Sequence, residues 1–326
     1  MIDLSTSYLG LQLRNPLIVA SSGLTKSAAK IADCEKFGAG AVVVKSIFEE
    51  VLAQKDFQID ASAALHTEAY DYLRAQLELQ YGPQEYCEML SEAKRLVSIP
   101  VIASVNCVTA KWWISYARQL QEAGADALEL NIFKTAIDKK EDAATIEKMY
   151  LDILREVTKQ VSIPVAVKIG PYFSSLPHFV SRLADSGARG VVIFNRFTEP
   201  DIDIDRLTLT TTFSFSSSYD LFKTLRWTAV LYGQVGCDIS AVTGVKSGAD
   251  VIKLILAGAQ TVQIASLFYQ QGLDRLRDLL DEVSVWMKAH GFAKLNDFRG
   301  KLAFCNTDSA EMWLRAQFME KIRGIE

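Results

Sequence analysis

The sequence predicts a TIM barrel, the α/β fold in which eight parallel strands alternate with helices. A glycine–alanine turn followed by a β-rich run occurs four times along the chain. Four further apolar, β-branched runs interleave with these four, which gives eight strands in about 250 residues. Eight consecutive βα units favour a closed barrel over a doubly wound sheet, which rarely needs so many.

Two kinds of signal identify the strands: a glycine–alanine turn that ends a helix, or a short apolar run. Glycine is the usual residue just past a helix C-terminus, so each glycine–alanine turn marks a helix end and the start of a buried strand. The four repeated segments are 37–45, 123–131, 186–195 and 257–266. The four interleaved runs are 16–21, 99–106, 163–168 and 238–243. Apolar residues at helical spacing predict amphipathic helices between strands, for example over 86–97 and 146–157.

Three βα connections are long, and all three should insert on the C-terminal face, where barrel enzymes build their sites. They cover residues 47–81, 132–141 and 196–225. Alternation over 208–216 predicts a small β-arm or lid within the third, with a solvated loop as the alternative. Residues 1–15 are expected to form a hairpin that closes the bottom of the barrel. Because no Pro/Ser-rich linker divides the chain, we predict one domain over residues 1–326.

Composition excludes several classes of protein. A charged fraction of 23% and a net charge of −4 do not favour nucleic acid as a partner. The five cysteines contain no CxxC pair and the three histidines are isolated, so no metal site is expected. An acidic N-terminus and the lack of a long apolar run predict a cytoplasmic protein without a membrane span.

Polar or small residues stand at the end of every predicted strand. In chain order they are Ser21/Ser22, Lys45/Ser46, Asn106, Asn131, Lys168, Asn195, Thr243/Gly244 and Ala265/Ser266. Barrel interiors are normally filled by branched apolar side chains, so two lysines and three asparagines at one rim predict a polar, partly anionic ligand. For Lys168 alone, a salt bridge inside the barrel is the alternative, because a buried ammonium must be paired or neutralised.

The last two βα units suggest a phosphate site. The segment 243–248 joins the seventh strand to a helix, and Ala265 and Ser266 end the eighth strand. Backbone N–H groups at such loops can hold a phosphate, although a plain βα turn is the alternative. Lys45 and Lys168 on the opposite side could stabilise a delocalised anion such as a reduced flavin ring. The residues therefore favour FMN as the cofactor.

In the order and spacing of these segments, the chain resembles the dihydroorotate dehydrogenase family, and its soluble class 1 members in particular. The resemblance covers nearly the whole length. It rests on NPLIVAS at 15–21, VKS at 44–46, IPVIASVN at 99–106, GADALELN at 124–131, VKIGPYF at 167–173, and the stretch 243–266.

The resemblance implies an FMN-dependent oxidoreductase of pyrimidine metabolism, expected by analogy to be a homodimer. It places one group of residues around the isoalloxazine ring and ribityl chain: Ala20, Ser21, Ser22, Lys45, Ser46, Asn106, Asn131 and Lys168. It places a second group at the phosphate: Thr243, Gly244, Val245, Ala265 and Ser266.

The chain departs from the family at the substrate motif. In the family Leu-Asn-x-x-Cys-Pro-Asn follows the fourth strand, and its Cys, or Ser in membrane-bound members, removes the proton from dihydroorotate. The matching run here is LNIFKTA at 130–136, so Lys134 replaces the base and Ala136 replaces the later Asn. No Asn-x-Met-Gly-type motif occurs in 56–80, and Asn195 alone survives of the substrate-binding asparagines.

The leading hypothesis is hydride transfer between flavin N5 and a small cyclic substrate, either dihydroorotate or a related dihydropyrimidine or amide. Lys45, Lys168 and Asn131 would serve the flavin, and Lys134 would be the base if burial lowered its pKa by about three units. A solvent-facing loop lysine is the alternative for Lys134. Two other functions stay open: a Schiff-base lyase acting on a phosphorylated substrate, and a flavin-binding electron-transfer subunit without its own substrate chemistry.

Overall fold

A computed structural model describes residues 2–48, 83–106, 110–196, 200–211 and 215–314. Eight parallel strands form its centre: β3 (Leu17–Val19), β4 (Ala41–Val43), β6 (Val101–Asn106), β7 (Ala127–Asn131), β8 (Val165–Ile169), β9 (Gly190–Ile193), β12 (Asp238–Val242) and β13 (Thr261–Ile264). They pair in the order given, and β13 pairs with β3, which closes the ring. The TIM barrel and all eight predicted strands are confirmed.

Five further strands lie outside this ring or at its edge: β1 (Thr6–Tyr8), β2 (Leu11–Leu13), β5 (Ile47–Phe48), β10 (Pro200–Asp203) and β11 (Thr208–Thr211). β10 and β11 pair antiparallel, so the β-arm predicted in the third long connection is confirmed. Residues 49–82, which hold most of the first long connection and the region of the missing substrate motif, lie outside the described residues.

The helices of the described chain are α1 (Ala28–Phe37), α2 (Pro83–Leu96), α3 (Ala110–Glu122), α4 (Ala143–Thr158), α5 (Leu176–Asp185), α6 (Ser218–Leu231), α7 (Gly248–Ala257), α8 (Ser266–Gln271) and α9 (Arg275–Ala289). Four of the turns that follow a helix use the repeated glycine in the left-handed region. These glycines are Gly38, Gly124, Gly187 and Gly258, with φ between 97° and 118°. The repeat therefore ends helices as predicted, because glycine adopts this conformation without a steric cost.

The N-terminal hairpin closes the bottom of the barrel, as predicted. β1 and β2 pair antiparallel through a turn at Leu9 and Gly10, both of which have positive φ, as a type I′ turn requires. Tyr8, Leu9 and Leu13 are buried against the lower barrel interior. The apolar interior cluster they join consists of Ile18, Ala41, Val43, Ile102, Ala127, Ala166, Val192 and Val242.

Polar side chains follow the apolar interior residues further along two of the strands. Side chains at i and i+2 of a strand face the same side. Two residues above Ala127 comes Glu129, and two residues above Ala166 comes Lys168. The barrel interior therefore changes from apolar to charged within one step along neighbouring strands.

No helix in the described ranges is both long and apolar enough to cross a membrane.

Leu13 offers a test of the hairpin's role. Leu13→Ala should lower the free energy of unfolding by about 2–5 kcal/mol, because a fully buried leucine is truncated in the barrel floor. Urea unfolding measures the loss. Gln12→Ala, one residue away on the exposed face of β2, is the matched control and should cost under about 0.5 kcal/mol. Equal losses in the two variants would show that the hairpin does not pack as described.

Candidate active site

Glu129, Lys168 and Gln263 form a polar layer inside the barrel. The Glu129 Oε1 lies 3.6 Å from the Lys168 Nζ, and its Oε2 accepts a hydrogen bond of 2.8 Å from the Gln263 Nε2. Glu129 is 1% exposed and Lys168 7%. The strands β7 and β13 lie on opposite sides of the ring, so the bond between Glu129 and Gln263 spans the interior. The salt-bridge alternative for Lys168 is therefore confirmed.

This layer keeps unused hydrogen-bonding capacity. At 3.6 Å the ammonium and the carboxylate attract each other without forming a hydrogen bond. Among the described residues, neither the Glu129 Oε1 nor the Gln263 Oε1 has a hydrogen-bond partner, although both atoms are buried. A buried polar atom without a partner costs free energy, and a ligand that donates a hydrogen bond to it removes that cost.

Two of the predicted asparagines meet directly above the ion pair. The Asn195 Nδ2 donates a hydrogen bond of 2.6 Å to the Asn131 Oδ1. Asn131 is paired in register with Lys168, and it follows Glu129 by two residues on β7. Asn106 occupies the corresponding end of β6. The structure thus brings together Asn131, Asn195 and Lys168 at one rim.

A chain of hydroxyls fixes the neighbouring part of the rim. The Ser46 Oγ lies 3.1 Å from the Ser21 Oγ and 2.7 Å from the Ser104 Oγ, and the Ser46 N–H donates to the Ser21 Oγ. These contacts tie the loops after β3 and β4 to β6. The hydroxyl of buried Tyr86 donates to the carbonyl of Lys45 at 3.0 Å, which holds that backbone from the other side.

Ala20 and Ser22 are the chain neighbours of Ser21, which belongs to this chain of hydroxyls. Ala20 is buried and donates its N–H to the Ile264 carbonyl at 2.9 Å. Ser22 accepts from the Leu24 N–H and caps the short 3₁₀ helix Gly23–Thr25.

Lys45 is half-buried at this rim. Burial, followed by the positive charge of Lys26, lowers the pKa of Lys45. An anion placed near Lys45 would offset both effects, because it would stabilise the ammonium form and screen the repulsion between the two cations. This part of the rim is electrostatically suited to an anionic group.

The loops after β12 and β13 lie side by side because these strands are parallel neighbours. Thr243 and Gly244 both have positive φ, 84° and 80°. A Cβ at residue 244 would lie 2.3 Å from the backbone nitrogen of Leu221, so only glycine lets the loop pack against the start of α6. Val245 is buried beyond this turn.

Ser266, at the start of α8, belongs to the same corner. Its Oγ accepts a bond of 3.3 Å from the Ser216 N–H, and Ala265 directly precedes the helix. Thr243 also lines, with Asn195, a small cavity of about 120 Å³. The predicted phosphate loop and the predicted substrate asparagine are therefore close neighbours.

Lys134 lies apart from the barrel interior, in the loop after β7. Its Nζ is 2.9 Å from the Glu141 Oε1, and its side chain is 31% exposed. With about one-third of its side chain exposed, Lys134 lies between the two alternatives, a buried base and a solvent-facing lysine. The Nζ of Lys134 is therefore already engaged by a carboxylate of the same loop.

Several site residues were not predicted from the sequence. Glu129 and Gln263 lie within apolar strands, Ser104 lies within β6, and Tyr86 lies on α2. The sequence does contain a signal for Glu129. It is the one acid in its buried strand, and the next strand contains a single lysine; because consecutive strands are neighbours in a barrel, the two charges must pair to be buried. The serine and tyrosine contacts had no comparable signal.

A closed parallel barrel with a charged, amide-lined C-terminal rim defines a class of barrel enzyme whose site is built for a polar ligand. The family model of dihydroorotate dehydrogenase matches residues 72–287. The chain belongs to the dihydroorotate dehydrogenase family, whose members are oxidoreductases acting on CH–CH groups.

Three archaeal relatives illustrate the similarity, each named dihydroorotate dehydrogenase B (NAD(+)), catalytic subunit. The protein from Thermoplasma acidophilum is 30% identical over 309 residues, covering 92% of this chain and 99% of the relative. The one from Methanocaldococcus jannaschii is 28% identical over 296 residues, covering 87% and 94%. The one from Methanocella arvoryzae is 30% identical over 265 residues, covering 80% and 85%.

The buried ion pair can be tested by a double-mutant cycle. Lys168→Met should lower the free energy of unfolding by about 3 kcal/mol, because Glu129 loses its buried counter-charge. The double variant Lys168→Met/Glu129→Gln should lose less, since no unpaired charge is left behind. Urea unfolding of wild type, Lys168→Met, Glu129→Gln and the double variant gives the four values of the cycle.

Lys94 provides the control for this cycle, because it forms an ion pair with Asp126 at 2.6 Å in a partly exposed position. Lys94→Met should cost under about 1 kcal/mol. A loss for Lys168→Met no larger than that of Lys94→Met would contradict the assigned role of the buried pair.

Proposed function

We propose that the chain binds FMN at the rim of the barrel and transfers a hydride between the flavin and a small cyclic substrate. When bound, FMN supplies the N5 atom that exchanges the hydride and the ring that stores two electrons. The observation that carries the proposal is the polar interior layer, in which a buried ammonium is fixed under the rim beside acceptors that lack partners within the described chain.

The residues present are suited to that cofactor. Lys45 and Lys168 supply positive charge, and hydroxyl and amide groups surround them. We assign the ring and the ribityl chain to Ala20, Ser21, Ser22, Lys45, Ser46, Asn106, Asn131 and Lys168. We assign the phosphate to the neighbouring loops after β12 and β13, through Thr243, Gly244, Val245, Ala265 and Ser266.

Lys168 has a defined electrostatic task in this proposal. Glu129 and Gln263 hold its surroundings in place before any ligand arrives, so stabilising negative charge on a reduced ring requires no reorganisation at the moment of reaction. Glu129 acts through Lys168 and is therefore a positioning residue. We assign Asn195 to the substrate, with its amide held by the hydrogen bond to Asn131.

For the substrate we propose dihydroorotate or a related cyclic amide, since the relatives are named dihydroorotate dehydrogenases. The setting would be pyrimidine metabolism in the cytoplasm, with the chain as a homodimer. Lys134 takes the position of the proton acceptor in this scheme. Its ion pair with Glu141 opposes that role, because only the neutral amine accepts a proton.

A second candidate is a flavin-binding subunit that passes electrons to a partner chain. The replacement of the family's Cys by the ion-paired Lys134 favours it, because substrate chemistry without a competent base would be slow. Flavin reduction that occurs only in the presence of a copurified partner would separate the two candidates. A Schiff-base lyase is not favoured, because the chain belongs to an oxidoreductase family and Lys168 is engaged with Glu129.

FMN binding is tested by reconstituting the purified chain and measuring its visible absorbance and reduction potential. We expect a yellow protein in which Lys168→Met lowers the potential of the bound flavin by about 30–60 mV, since 30 mV corresponds to about 1.4 kcal/mol for two electrons. Lys148→Met, which removes a surface lysine paired with Asp152, is the control and should leave the potential unchanged. A folded chain that takes up no FMN would overturn the proposal.

The base position is tested by restoring the family's residue. Lys134→Cys should raise the rate of flavin reduction by dihydroorotate at least about tenfold, because a positioned general base contributes about 10²–10⁴-fold. Anaerobic stopped-flow absorbance measures the rate. Lys139→Cys, at an exposed lysine of the same loop, should change nothing. If wild type already reduces its flavin with dihydroorotate as fast as Lys134→Cys, the chain has another base.

A further inference from the structure

A cleft of about 600 Å³ opens beside the loop that follows β7. The loop contributes Phe133, Lys134, Thr135 and Ala136, and the segment after β8 contributes Gly170, Tyr172 and Phe173. Ile146, Tyr150 and Pro200 complete the lining. All three residues that replace the family's Cys-Pro-Asn therefore face one cavity.

We propose that this cleft binds the non-reacting part of the substrate, and that the substrate is an uncharged aromatic amide or a similarly neutral ring compound larger than dihydroorotate. The inference rests on the proposed flavin-dependent function and, of the two substrates proposed there, it favours the cyclic amide over the acid dihydroorotate.

Size is the first argument. At about 30 Å³ per water molecule, 600 Å³ corresponds to on the order of twenty waters. That is well beyond what one six-membered ring with a carboxylate occupies. A volume of this order is usual for the site of a ligand with several rings.

The chemistry of the walls is the second argument. Tyr150 meets both Phe173 and Phe179 edge to face, with ring centroids 5.5 Å apart in each pair. Phe173 also stacks on the buried Phe179 at 4.1 Å. These contacts fix two of the cleft's rings in place, and a preformed aromatic wall suits a flat apolar ligand.

The hydroxyl of Tyr150 supports this rigidity. It donates to the Ile132 carbonyl at 3.3 Å, which anchors the loop that carries the replaced residues. Burial raises the pKa of Tyr150 to about 12, so the group is a neutral donor at physiological pH. On the open side, Phe133 is 40% exposed and Tyr172 73%. Large aromatic surfaces left exposed around a concavity mark binding sites.

Charge is the third argument. Among the described lining residues, Lys134 is the one with a charge at neutral pH, and Glu141 already neutralises it at 2.9 Å. A carboxylate ligand would bring a second anion to the same ammonium, which is unfavourable. Glu141 is not one of the described lining residues, so a ligand in the cleft meets Lys134 with its charge already paired. An amide satisfies these conditions better than an acid.

The test is equilibrium dialysis with the FMN-reconstituted protein, which measures the dissociation constants of 2-naphthamide, 2-naphthoate and orotate. We expect 2-naphthamide to bind at least tenfold more tightly than either acid. Ala136→Trp should fill the cleft and weaken the binding of 2-naphthamide at least tenfold. Ala136→Phe provides the same test if the tryptophan variant does not fold. Ile137→Trp is the matched control, because Ile137 is the next residue, is 87% exposed and lies outside the lining.

Equal affinities for 2-naphthamide and 2-naphthoate would overturn the uncharged class, and affinity unchanged by Ala136→Trp or Ala136→Phe would overturn the cleft as the site. The flavin content of each sample separates this inference from the proposed function. A sample that holds FMN but does not bind 2-naphthamide refutes the inference alone. A chain that binds 2-naphthamide at this cleft but takes up no FMN refutes the flavin function and leaves the cleft as a binding site.

Discussion

The site depends on one constraint, which is that two opposite charges, Glu129 and Lys168, are buried together inside the barrel. Neither the carboxylate of Glu129 nor the ammonium of Lys168 could be placed there alone, because an isolated ion in the interior loses several kcal/mol of hydration. Pairing reduces that cost, and Gln263 reduces it further from across the ring. The result is a cation held at a fixed position just below the rim, which is the property an anionic ligand requires.

This polar layer has a structural consequence for the rest of the cylinder. The three polar side chains contribute no apolar packing, so the apolar interior cluster and the hairpin beneath it must supply it. Leu9 illustrates the balance: its φ of 57° is unfavourable for a branched side chain by about 1–2 kcal/mol, yet its side chain is almost fully buried in the floor. Full burial of a leucine contributes about 1.5–3 kcal/mol, which offsets the backbone strain. One end of the barrel is thus stabilised while the other stays open to a ligand.

The sequence predicted features set by local chemistry and missed those set by tertiary contact. Glycines such as Gly38 and Gly258 are required by the left-handed turns they form, so the strands and their order were readable. The ammonium of Lys168 had to be paired, which was also readable, but its partner depended on the strand register. The Ser46 hydroxyl contacts join three separate segments, and nothing in any one segment indicates them. Lys134 and Glu141 are seven residues apart in a loop, so no periodic pattern in the sequence predicts their ion pair.

The interior layer and the cleft differ in how they are attached to the barrel. The rim residues lie at strand ends or directly after them, and Lys168, Asn131 and Ser46 join the rim to the ion pair or to the hydroxyl chain. Residues 133–136 lie in a loop beyond β7, where substitutions alter the cleft without touching the interior layer. The loop lost the family's thiol and amide and acquired aromatic and ion-paired surroundings in the same few positions. A barrel whose polar interior layer is tied to its core, and whose neighbouring cleft is formed by loops, allows the cleft to vary while the interior layer is kept.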